Sequence, residues 1–334
     1  MLPSDSLNCD RTLVTRAAVA AIAIAALLLL VLGGPAHAVR LATESATAST
    51  AAARNELTAG KAAILGLVEG LTEYLPISST GHLLVAEKIL EVGATKQTKD
   101  AADTYLIVIQ AGAILAVLLL FWRRIIEIVR GLFGKSEEGR RLLVALVVAF
   151  IPAALVGIVG EKAIKNVLLK PIPVAIAWIA GAILIFVVAA PLYRNAKEHG
   201  RPLGAITTRN ALIIGGAQVL ALWPGVSRSL VTIVAALLVG LTMPAAVEFS
   251  FLLGLMTLGA ATLYDGAKHG HELVDTYGVA NPLLGFVVAF VAAVLAVRWM
   301  VTYLQRHDLT IFAWFRLAAA AITIVLVVSG TISA

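Results

Sequence analysis

The sequence predicts an all-α polytopic membrane protein, built as an inverted repeat with two re-entrant helix hairpins and about six full transmembrane spans. Three observations carry that expectation. The composition is too apolar for a water-facing surface. Six apolar segments reach spanning length. Two further apolar stretches are broken by polar and charged residues at their centres.

Hydrophobic residues make up 60% of the 334 positions and charged residues 14%, and the mean hydropathy is +0.94. A soluble domain carries about 25% charged residues, so most of this chain has lipid as its solvent. The net charge of +6 is accordingly a topology signal, because basic residues collect in cytoplasmic loops, and it is not the footprint of a nucleic-acid partner. The single cysteine, Cys9, excludes an intrachain disulfide and a cysteine metal site.

The N-terminal part divides in two. Arg11 and Arg16 precede an apolar run from Ala17 to Leu32, and Ala36-His37-Ala38 has the small-x-small form of a signal-peptidase site. Residues 1–38 are a signal peptide or an N-terminal anchor, and both readings stand. Residues 39–58, rich in Ala, Thr and Ser, read as a disordered linker. Residues 59–334 form the membrane-embedded domain.

The six apolar segments run over 106–122, 141–160, 172–190, 246–264, 283–303 and 310–330. The interrupted stretches are 62–90 and 211–241. Polar residues of the kind they carry suit a broken helix lining a cavity, not a lipid-facing one. The region 123–141 holds Arg123, Arg124, Arg130, Lys135, Arg140 and Arg141 against Glu127, Glu137 and Glu138, which makes it cytoplasmic. Alternation then places the loops 161–171 and 265–282 outside and 191–210 inside, with Lys162, Lys165 and Lys170 a mild exception. The two hairpins consequently enter from opposite faces. Shifted by 149 residues, Gly66 falls on Gly215, Glu69 on Gln218, Leu71 on Leu220, Tyr74 on Trp223, Ser78 on Ser227 and Thr80 on Ser229. Internal similarity with reversed orientation indicates an inverted repeat, about 60–160 and 210–305, with its site near the midplane.

The polar residues of the hairpins form a pattern suited to phosphate chemistry. Glu69 and Glu73 are four apart and share a helix face. Buried carboxylates cost on the order of 2.5–3.5 kcal/mol each at the bilayer centre, so a pair is not a packing accident. In Pro76-Ile77-Ser78-Ser79-Thr80-Gly81-His82 the proline ends one helix and the hydroxyl residues start another. Helix starts offer free N–H groups to an anion. The second hairpin repeats this with Ser227, Arg228 and Ser229, and Arg228 adds a planar donor fork. Ser79, Thr80, Ser227 and Ser229 are thus expected to bind substrate phosphate. His82, four residues after Ser78, is placed to serve a hydroxyl nucleophile. Glu248 is either an interfacial helix-start charge or a further site residue. No HExxH or CxxC spacing is present, which disfavours a catalytic zinc.

The run from Glu69 to His82 resembles the first signature of the undecaprenyl-diphosphatase, or bacitracin-resistance, family, and Pro224-Gly225-Val226-Ser227-Arg228-Ser229 resembles the second. The similarity runs from about residue 60 to the C-terminus and includes Glu248 to Leu253. Departures from the family pattern are Val226, Leu230-Val231 and Leu255-Met256; none removes a candidate catalytic group. The resemblance implies hydrolysis of undecaprenyl diphosphate to the monophosphate and phosphate at the outer side of the cytoplasmic membrane. It also implies a catalytic set of Glu69, Glu73, Ser78, His82 and Arg228. A diphosphate monoester brings about three negative charges, which two carboxylates facing one arginine cannot balance in a low dielectric. A divalent cation, Mg2+ or Ca2+, held by Glu69 and Glu73 is therefore expected, with a protonated carboxyl as the alternative. Ser78 is the expected nucleophile with His82 as its base, and Ser79 or an activated water stands as the alternative. The expected partners are a polyprenyl diphosphate lipid and the membrane; a homodimer is left open. The competing reading is an inverted-repeat transporter or flippase of a polyprenyl phosphate lipid.

Overall fold

The computed structural model describes residues 56–333, and within them the chain is helical from end to end, with one isolated bridge between Arg201 and Leu241. Residues 1–38 and most of the 39–58 linker lie outside the described residues. The first element, α1 (Ala59–Thr72), begins at Thr58, whose hydroxyl accepts from the Lys61 N–H at 3.3 Å. It stops ahead of Pro76, and α2 (Ser79–Leu90) follows. The chain continues through α3 (Lys96–Leu120), α4 (Trp122–Leu132) and α5 (Glu137–Leu168). Next come α6 (Pro171–Leu184), a π-helical turn Ile185–Ala189 and α7 (Ala190–His199). Then α8 (Thr208–Gln218) passes through a 3-10 turn, Val219–Leu222, toward α9 (Arg228–Leu238). The last three helices are α10 (Met243–Tyr277), α11 (Ala280–Leu304) and α12 (Thr310–Val328).

Six helical stretches are long and apolar enough to cross a membrane: Thr98–Leu120, Glu137–Gly160, Pro171–His199, Met243–Tyr264, Ala280–Leu304 and Thr310–Val328. Each contains most of one expected span. The interrupted stretches become the pairs α1–α2 and α8–α9, and none of these four helices reaches 18 residues. Four expected loops are largely helical instead, 191–210 chiefly through α7. The helix α5 continues to Leu168 and α10 to Tyr277, ending ahead of Pro171 and at Gly278 respectively. The basic region after residue 121 forms α4, whose Ile126, Val129 and Leu132 recur at helical spacing and are exposed beside Arg123 and Arg130. Apolar side chains at helical spacing beside basic ones make α4 amphipathic, a pattern typical of helices that lie in a membrane interface.

Packing repeats between the two halves. The helix α1 lies on α11, and a Cβ at Gly66 or Gly70 would run into the backbone oxygen of Gly285 or Ala289. The helix α8 lies on α5 in the same manner, with Gly215 against the carbonyl of Ala149. Small residues at these crossings let backbones approach closely, the usual way for helices to associate in lipid. At the centre sits α9, which buries Leu230, Ile233, Val234, Ala236 and Leu237 together. A helix apolar on every side belongs in a core, and the fold places the charged start of α9 against the turn between α1 and α2.

Candidate active site

Two short turns meet at the centre of the molecule. The first, residues 73–78, joins α1 to α2; the second, residues 223–227, leads into α9. They are stitched reciprocally. The Gly225 N–H donates to Ser78 Oγ at 3.2 Å, and Ser229 Oγ donates to the Leu75 carbonyl at 2.9 Å. Ser227 Oγ lies 3.0 Å from Ser229 Oγ and accepts from the Leu230 N–H, capping α9. Ser78 caps nothing with its side chain, which is committed to the other turn.

Charge gathers on one carboxylate where these turns touch. Ser79 Oγ donates to Glu73 Oε2, and Arg228 Nη2 donates to Glu73 Oε1 at 3.2 Å. The ion pair is well enclosed, with side-chain exposures of 8% for Glu73 and 10% for Arg228. Glu69 is buried one helical turn before Glu73. Arg228 is fixed further by a 3.0 Å bond from Nη1 to the Ser250 carbonyl, and its Cζ sits 5.3 Å from the Tyr74 ring centre. Thr232 carries the support outward, accepting or donating at 2.6 Å with Ser250 Oγ. Gly254 makes the room, since a Cβ there would overlap the guanidinium. The Arg228 Nε–H is buried and finds no acceptor among the described residues, which leaves a donor for a phosphate oxygen.

His82 stands to one side. Its Nδ1 lies 2.7 Å from the Ser78 carbonyl and donates to it, so in the neutral ring Nε2 is the acceptor. The ring packs at a tilt against Trp178 and Phe315, with centroids at 4.6 and 5.4 Å.

The family model described as "Bacitracin resistance protein BacA" matches residues 62–322. The chain belongs to the BacA family. Among its relatives, undecaprenyl-diphosphatase 2 of Rhodospirillum rubrum is 44% identical over 276 residues, covering 82% of this chain and 96% of the relative. An undecaprenyl-diphosphatase of Sorangium cellulosum is also 44% identical, over 79% of this chain and 84% of its own length. One from Acinetobacter baumannii is 39% identical, over 82% and 97%.

In this BacA chain the structure brings Glu69, Glu73, Ser79 and Arg228 into one cluster, with Ser78, Ser227 and Ser229 directly behind it. The hydroxyl on the shared carboxylate is that of Ser79, not that of Ser78. Thr80 is exposed and makes no side-chain hydrogen bond among the described residues. Glu248 pairs at 2.6 Å with Arg124 in an ion network with Glu127 and Glu138, apart from the cluster. No group of three or more His, Cys, Asp or Glu suited to a metal occurs among the described residues.

One further residue, on α12, reaches both turns of this BacA site. Arg316 is fully buried, and its guanidinium donates to carbonyls of both turns. The signal was present: it is the single charged residue in the apolar run 310–328, and a charge inside a span marks a functional position.

Proposed function

We propose that this chain hydrolyses undecaprenyl diphosphate to undecaprenyl phosphate and inorganic phosphate. The reaction recycles the lipid carrier for cell-wall synthesis and confers resistance to bacitracin. The carrying observation is the Glu73 carboxylate shared by the Ser79 hydroxyl and the Arg228 guanidinium, which is a nucleophile, a base and an oxyanion donor in contact.

Ser79 Oγ attacks the terminal phosphorus and gives its proton to Glu73. The bond from that phosphorus to the bridging oxygen breaks, and undecaprenyl phosphate leaves with the bridging oxygen. Water then cleaves the phosphoserine, releasing phosphate and restoring the hydroxyl. Arg228 and the N–H groups at the starts of α2 and α9 hold the equatorial oxygens, where charge spreads in the transition state. Ser78 supports the geometry by accepting from Gly225, and His82 holds the Ser78 carbonyl through Nδ1–H while presenting Nε2 as an acceptor.

The donor set also fits a divalent cation. Mg2+ is commonly held by one or two carboxylates together with substrate phosphate oxygens, and Glu69 and Glu73 would supply the carboxylates. Each oxygen of Glu73 accepts one hydrogen bond, from Ser79 and from Arg228, which leaves lone pairs for a cation. Such a cation, Mg2+ or Ca2+, would offset the substrate charge.

The placement that accompanies this reading is the cytoplasmic membrane, with α1–α2 and α8–α9 as re-entrant hairpins of opposite orientation and the catalytic cluster open to the outside. It is supported by the shortness of those four helices and by the basic α4 region. Phosphate release from undecaprenyl diphosphate by purified chain in detergent tests the proposal. Protein that binds the lipid without releasing phosphate would favour the transporter reading.

A further inference from the structure

The buried arginine on α12 has an unusual set of partners. Nε donates to the Trp178 carbonyl at 3.1 Å and Nη1 to the Pro76 carbonyl at 3.2 Å. Nη2 donates to the carbonyls of Ala177 and Gly225, each at 2.9 Å, with Val226 at 3.3 Å. Every partner is a backbone oxygen. Among the described residues no carboxylate pairs with Arg316, although the side chain is wholly buried. An unpaired charge at that depth is one of the costliest placements in a membrane protein, and it persists where the surroundings are arranged around it.

The arrangement follows the repeat. Under the 149-residue offset, Pro76 falls on Gly225 and Ile77 on Val226. One guanidinium therefore grips matching points of the two turns. Those carbonyls are the acceptors that a broken helix leaves without partners in a medium that offers no water. The neighbouring carbonyl, Ile77, is taken by the Trp178 indole N–H at 2.8 Å. Arg316 and Trp178 thus pin the first turn from the same side, and α6 supplies the backing through Ala177 and Trp178. Space has been kept for the fork, since a Cβ at Gly181 would overlap the guanidinium. The offset also places Ser79 on Arg228, so the residues whose separation matters most on Glu73 are matching residues of the two turns, each three positions past a carbonyl that Arg316 holds.

We propose that Arg316 is a positioning residue of the phosphatase reaction: its guanidinium sets the distance between the two turns, so that Ser79 and Arg228 reach opposite oxygens of Glu73. It touches none of the reacting groups itself. A lysine would keep the charge but could not replace the fork, because three donors on a single nitrogen cannot span carbonyls from three segments. The inference rests on the phosphatase reading above, and the wild-type chain tests that reading separately.

The experiment uses the full chain purified in detergent, with phosphate release from undecaprenyl diphosphate measured for wild type, Arg316→Lys, Trp178→Phe and the double variant, each checked by size-exclusion profile and thermal melt. A wild type that releases no phosphate defeats the phosphatase reading itself. With an active wild type, Arg316→Lys should lose about 10²-fold in kcat with KM little changed, as expected when reacting groups are displaced by a fraction of an ångström to an ångström. Trp178→Phe keeps an aromatic ring against His82 while losing the N–H and part of the buried ring volume; it should fold and lose about tenfold in kcat. The double variant should be no worse than Arg316→Lys, because both changes release the same turn. Native kcat in Arg316→Lys, a loss confined to KM, or multiplicative losses in the double variant would each overturn the proposal. Should Arg316→Lys fail to fold, Trp178→Phe decides: native kcat there overturns it, and a kcat loss at native KM sustains it.

Discussion

Ser78 and Ser227 hold the same uncommon backbone conformation, with φ of 71° and 74°, each immediately before a helix start. Left-handed φ is disfavoured for a residue with a Cβ, yet it recurs at two positions 149 residues apart, each at the end of a turn that leads into a helix. Their side chains diverge in use: Ser227 caps its own helix, and Ser78 reaches across to Gly225.

That divergence gives a stability prediction. Ser227→Ala removes a cap and keeps the strained φ, and should cost about 1 kcal/mol, whereas Ser227→Gly should cost only a few tenths. Thermal melts in detergent would show the order; an alanine variant as stable as the glycine one would mean that the positive φ of Ser227 costs nothing.

The two serines of the first motif should separate kinetically. Ser79→Ala removes the proposed bond-forming oxygen, and kcat should fall by at least about 10³-fold, the scale on which loss of a catalytic nucleophile is felt. Ser78→Ala removes an acceptor for Gly225 and should cost about tenfold through geometry alone. Single-turnover phosphate release on both variants distinguishes them, and the opposite order would return the nucleophile to Ser78.

Arg228→Lys should fold, because it adds no charge, and should lose about 10²–10³ in kcat, as for removal of one preorganised donor to a developing oxyanion. An ammonium cannot hold both Glu73 and the Ser250 carbonyl while facing a phosphate. Near-native turnover would exclude Arg228 from transition-state contact.

Chelation should abolish turnover, with Mg2+ or Ca2+ restoring it, if Glu69 and Glu73 share a cation with the substrate. Full activity in metal-free buffer would instead assign charge balance to a protonated carboxyl.

A cysteine at Ser136 should resist an impermeant thiol reagent in intact cells, and one at Thr276 should react, both in a Cys9→Ser background. The reverse pattern would invert the proposed orientation and turn the catalytic cluster inward.

The sequence by itself determined the solvent, the spans and the motif residues. Hydropathy sums over twenty residues and is insensitive to packing, so all six membrane-crossing helices were legible, as were the breaks at Pro76 and before Ser227. Periodicity within the basic region after residue 121 was legible too, but charge content masked it, and α4 emerged only with the fold. The tertiary structure decided which hydroxyl meets which carboxylate. Ser78 and Ser79 are adjacent in sequence, yet at the positive φ of Ser78 one hydroxyl meets Gly225 and the other Glu73. It also decided the place of Arg316, 240 residues from the Pro76 carbonyl it holds. Its partners are backbone carbonyls, groups that every residue carries, and no pattern of side chains could have announced them.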